Sequence, residues 1–182
     1  PSWEWHIQRF ESYHDDTDMT EPEEDGTARP QTNGTFDTAD VRQVRILDYS
    51  GGLTIETTSD TVLKYNCEGI DSDDLITNSE TTATFNFARQ NPNSVCHLTI
   101  PKKCGLDIQF KNGSVVLAGP LSAVSVVGDT GEILLKRAAN VDYRLEASVE
   151  NGSVEGVNVA EDSSAEAIPV RLHLESGSIL VE

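Results

Sequence analysis

Positive charge, histidine and cysteine are scarce in this chain, and long apolar runs are missing. Lys and Arg total 13 against 31 Asp and Glu, a net charge of −18 over 182 residues. Such a chain repels nucleic acid and anionic membrane surfaces, so direct nucleic-acid binding is excluded, and the surplus of carboxylates reads first as a solubility device. No stretch approaches the ~20 apolar residues that a membrane-spanning helix needs. Membrane attachment is therefore expected only through an anchor outside this segment. The sequence opens at Pro1 rather than Met, which leaves an upstream leader or anchor an open matter.

Three cysteines, Cys67, Cys96 and Cys104, allow one intramolecular disulfide, and no spacing among them makes the CxxC pair of a zinc site. Cys67 and Cys96 are the expected partners, because YNC and SVCHLTI both have strand character and could lie side by side. The alternative is three small buried thiols. A bridge would imply an oxidising compartment.

Catalytic signatures are missing too. His6, His14, His97 and His173 stand far apart, outside any HExxH or HxH spacing, and GxSxG, GxGxxG and Walker-type loops do not occur. Two acidic clusters, Asp15, Asp16 and Asp18, and Asp71, Asp73 and Asp74, lack the glycine and terminal glutamate of an EF-hand loop and read as solvated loop charge. Carboxylate pairs for glycoside hydrolysis can be drawn in many ways among 31 acids, so none is singled out. The expectation is no catalytic residue, no metal and no cofactor.

What is present is alternation. SWEWHIQRF places Trp3, Trp5 and Ile7 on one face, so residues 1–10 read as a strand docking on the body. Residues 11–40 are acidic and nearly devoid of aliphatic side chains, and read as a loop or linker. From residue 41, segments such as VRQVRIL, GLTIETT, TTATFNFA and SVCHLTI have period two and are bounded by Gly, Asn, Asp or Pro. In TTATFNFA, Ala83, Phe85 and Phe87 share a face; in VDYRLEASV, Val141, Tyr143, Leu145, Ala147 and Val149 do.

One unit then repeats. FKNGSVVLAG (110–119), GDTGEILLK (128–136), VENGSVEGV (149–157) and LESGSILVE (174–182) each place Asn, Thr or Ser before a glycine, Gly113, Gly131, Gly152 or Gly177, then Ser or Glu, then Val115, Ile133, Val154 or Ile179. A two-strand unit cannot bury its own apolar face, whereas stacked copies align their inward side chains into a continuous core. Glycine supplies positive φ at each corner, and the polar residue before it satisfies local backbone groups. Asn112 and Asn151 are thus explained by the turn; like Asn33, they also lie in sequons. The expected fold is all-β, a single-stack β-solenoid of parallel β-helix type over 41–182, regular from about 105. The alternative is an antiparallel β-sandwich with ordinary Asn-Gly hairpins. Gly128, where the other units carry Phe110, Val149 and Leu174, predicts a looser corner in its unit.

These glycine turns, the preceding DYSGGLTIETT and the IPKKCGLDIQF segment resemble the bacterial putative-adhesin family of β-solenoid domains. The resemblance covers roughly residues 41 to 182. It implies an extracytoplasmic location, no enzyme activity and no catalytic residues to carry over. The resulting expectation is a non-enzymatic interaction, adhesion or scaffold module with a protein or glycan partner. A carbohydrate-active β-helix enzyme and an envelope sensor domain are the alternatives. The apolar SILVE strand that ends the chain is expected to be a free edge through which copies associate.

Overall fold

Valine, isoleucine, threonine and aromatic side chains suit a pleated, half-buried surface, and their alternation is realised as strand in every long segment. A computed structural model describes residues 31–70, 75–88, 93–139, 141–156 and 167–182, all within one compact unit, Gln31–Glu182. The strands are β1 (Gln31–Asp37), β2 (Gln43–Thr58), β3 (Val62–Glu68), β4 (Ile76–Ser79), β5 (Thr82–Asn86), β6 (Ser94–Pro101), β7 (Gly105–Ala118), β8 (Val124–Lys136), β9 (Tyr143–Glu155) and β10 (Ile168–Val181). No helix occurs among the described residues. The fold is all-β, a single mixed sheet in the order β1-β3-β6-β2-β7-β8-β10-β9, with β5 against β2 and β4 against β5.

The five long strands pair in parallel along β2-β7-β8-β10-β9 with their glycines in register: Gly51 beside Gly113, Gly113 beside Gly131, Gly131 beside Gly177, and Gly177 beside Gly152. The buried set changes phase at this column. In β7, Leu106, Ile108 and Phe110 are buried before the glycine, and Val115 and Leu117 after it. An unbroken alternation would have buried Ser114 and Val116 instead, so each strand bends at its glycine.

The inward residues form ladders across the rungs, neighbours about 4.8 Å apart. One ladder is Val44, Leu106, Val124, Val170 and Leu145; another is Leu53, Val115, Ile133, Ile179 and Val154. Each fully buried aliphatic contributes roughly 1.5–3 kcal/mol, and most of these side chains are almost fully buried.

Stacking order differs from chain order at both ends. β10 lies between β8 and β9, so the last unit in sequence is not the last rung. Likewise β2 lies between β7 and the rung made by β5 and β6. The expected free edge at SILVE is thus corrected: β10 is paired on both sides, and β9 is the terminal strand among the described residues. A glycine turn specifies a bend and leaves open which neighbour a rung lies against, so sequence order was no guide.

The boundary at residue 40 also moves, since Gln31–Asp37 is a strand paired antiparallel with β3. This polar segment is held by tertiary contacts: Thr32 is buried and its hydroxyl donates to the Ile70 carbonyl at 2.9 Å, and Phe36 packs against the core. The expected WEW strand and residues 11–30 of the expected loop lie outside the described residues.

Gly128 does not loosen its corner. A Cβ there would lie 2.3 Å from the ring of Phe110, its in-register neighbour, so that ring occupies the space left by the missing side chain. Gly131 keeps a φ of 147°, close to the 151° of Gly113.

Candidate functional site

The corner column is a steric necessity as well as a turn. A Cβ on Gly113 would lie 1.9 Å from the Gly51 carbonyl oxygen, one on Gly131 1.8 Å from that of Gly113, and one on Gly177 1.8 Å from that of Gly131. On β6 the position beside Gly51 is Ser94. That rung ends the parallel stack, because β3 beyond it runs antiparallel. The Ser94 hydroxyl donates to the Ser50 carbonyl at 2.8 Å, and the buried Tyr49 hydroxyl donates to Ser94 and Gly52 carbonyls. These residues build the scaffold.

Cys67 and Cys96 face each other across β3 and β6 and are joined as a disulfide. Cys104 is free and buried, 3.5 Å from the Val41 carbonyl. Burial raises its thiol pKa, with the neighbouring Lys103 charge working the other way. His97 lies 3.6 Å from the Glu56 carboxylate on the next rung, and His173 Nδ1 is 2.8 Å from the Ser148 hydroxyl. No group of three His, Cys, Asp or Glu that could hold a metal occurs among the described residues. His6, His14 and both acidic clusters lie outside them.

The site with most character is a groove of about 330 Å³ on the outward face, crossing the first arms of the rungs. Its polar lining is Gln43, Asp107, Ser125, Arg144, Glu146 and Arg171, with Ala123 and Pro169 beside them; Leu106, Val124 and Val170, which also line it, belong to the buried core. The outward residue six places before each corner glycine forms one row across five rungs: Arg45, Asp107, Ser125, Arg171 and Glu146. Arg45 pairs with Asp107 at 3.5 Å. Three of the protein's 13 cationic side chains, Arg45, Arg144 and Arg171, thus sit in or beside one groove of a chain with net charge −18. Beyond the bend, Val116, Leu134 and Leu180 make an outward aliphatic row over three rungs, with Leu180 39% exposed.

The sequence reading named none of the groove residues. The signal was available: counting back six residues from each glycine finds the whole row, once the rungs are known to stack in register.

The groove's two carboxylates stand on separate rungs: Asp107 is on β7 and Glu146 on β9, three rung spacings apart, or about 14 Å between backbones.

No family model matches the sequence, and no curated protein matches it. Among solved structures, the chain is similar to a putative cell adhesion protein from Clostridium sporogenes, with 11% identity and a TM-score of 0.53, over 84% of this chain and 98% of that one. At that identity the likeness speaks for the fold.

Proposed function

We propose that this chain is a non-enzymatic, extracytoplasmic interaction module of the adhesin type, built as a single-stack β-solenoid that presents its rungs as a recognition face. The observation that carries the reading is the groove over the aligned first arms. It offers guanidinium, carboxylate, amide and hydroxyl groups at regular rung spacing, a lining suited to an extended protein or glycan segment. The Cys67–Cys96 bridge supports an oxidising compartment, and the structural likeness to a putative cell adhesion protein agrees with an adhesive role.

A glycan array and a glycoside-hydrolase screen on the full chain test this reading together. Binding without turnover, weakened by Arg171→Ala, is the expected result. Turnover of any bound glycan would replace the reading with that of a carbohydrate-active enzyme.

A further inference from the structure

The two ends of the rung stack are finished differently. Beyond β6, the antiparallel strands β3 and β1 close the core, with Leu63 buried and Phe36 and Tyr65 packed on it. At the other end, β9 has β10 on one side and no strand on the other among the described residues. Its inward residues Leu145, Ala147, Val149 and Val154 are only partly buried, whereas their neighbours on β10, Val170, Leu172, Leu174 and Ile179, are 0–1% exposed. Among the described residues nothing covers the core there, and no strand pairs with the outer edge of β9.

Edge strands are commonly protected by proline, lysine, a bulge or an inward-pointing charge. β9 has no proline and no lysine, it pairs with β10 without a bulge through its first arm, and Arg144, Glu146 and Glu150 alternate with the inward side chains. We propose that this edge pairs with the same edge of a second copy, making an antiparallel, two-fold dimer that joins the two open cores end to end.

The charge pattern selects the register. A two-fold pairing centred on Glu146 sets that residue opposite itself, and one centred on Ser148 sets Glu146 opposite Glu150; both oppose like charges. Centring on Leu145 pairs only Tyr143–Ala147 within the strand. Centring on Ala147 uses the whole arm, Tyr143–Asn151. It sets Arg144 opposite Glu150 twice, Leu145 opposite Val149 twice, and Glu146 opposite Ser148. Apolar meets apolar and opposite charges meet at both ends, as a self-complementary interface requires. With the two-fold axis normal to the sheet, the outward grooves of both copies lie on the same side. The proposal therefore goes beyond the recognition role by doubling its surface.

Sedimentation velocity on the full chain across a wide concentration range tests this. The expected result is a concentration-dependent dimer whose association constant falls about tenfold or more with Arg144→Glu or with Glu150→Arg, because each reversal spoils two symmetry-related pairs. The double variant Arg144→Glu/Glu150→Arg recreates both pairs and restores the dimer, and Glu146→Gln leaves the constant within about threefold. All these positions are exposed, so folding is checked by an unchanged circular dichroism spectrum. A monomer at every concentration would mean the edge is covered in another way and overturns the proposal. So would a dimer insensitive to both single reversals, or a double variant as weak as the singles.

Discussion

A Cβ placed on Gly131 would lie 1.8 Å from the carbonyl oxygen of Gly113, the residue beside it on the next rung. Glycine is thus demanded twice at this corner, by the φ of 147° and by the neighbouring backbone. Gly131→Ala is expected to cost roughly 3–5 kcal/mol, combining left-handed strain with a clash that backbone cannot relieve cheaply. Gly52→Ala is the control. Its added Cβ would meet only the Ser114 hydroxyl, at 3.8 Å, and a change within about 1 kcal/mol is expected. Urea denaturation of both variants checks the contrast.

Phe110 and Gly128 form a matched pair in which one ring fills the volume of two side chains. Phe110→Ala should lose about 3–5 kcal/mol to the cavity it leaves, and Gly128→Ala about 1–3 kcal/mol by overpacking against the ring. In the Phe110→Ala background the second substitution should become neutral or stabilising. A double-mutant cycle with coupling of about 1–3 kcal/mol is the expected outcome. Additive effects would mean that the ring does not occupy that space.

The sequence announced this rung poorly, and the reason is physical. Gly128 breaks the apolar pattern within its own unit, and the residue that repairs it stands 18 positions earlier, on another strand. Inward positions such as Val115, Ile133 and Ile179 were legible because alternation and the glycine unit are local signals. Rung order was not, since Gly177 fits against Gly131 and against Gly152 equally well. Strand β1 was missed because the polar QTNGTFD stretch is held by partners distant in sequence. The groove was missed because its residues converge from five strands and become a site only when the register is fixed.

The Cys67–Cys96 bridge spans 29 residues and ties β3 to the outermost parallel rung. Closing a loop of that length in the unfolded chain corresponds to about 3–4 kcal/mol. Cys67→Ser/Cys96→Ser should lower stability by that order, and β1 and β3 should lose amide-exchange protection before β8 and β10 do. Equal protection loss in both regions would contradict a local tether.

Cys104 supplies a pH-dependent readout. Burial lifts its thiol pKa above the ordinary value, partly opposed by Lys103, so at pH 8 the folded protein holds less of the reactive thiolate than an unfolded chain does. Alkylation by iodoacetamide at pH 8 should be about tenfold or more slower in the native protein than in urea, and should quicken as pH rises beyond the usual thiol range. A native rate equal to the unfolded one would show the thiol to be exposed.

The central claim is that the rungs lie parallel in the order β8, β10, β9, with their inward residues in register. Nuclear Overhauser contacts in a uniformly labelled sample read this directly. The expected pattern has Ile179 in contact with Ile133 on one side and Val154 on the other, with no contact between Ile133 and Val154, which stand two spacings or about 9.6 Å apart. A direct Ile133–Val154 contact, or antiparallel cross-strand contacts around Gly131, Gly152 and Gly177, would contradict the stacking from which the groove and the open edge both follow.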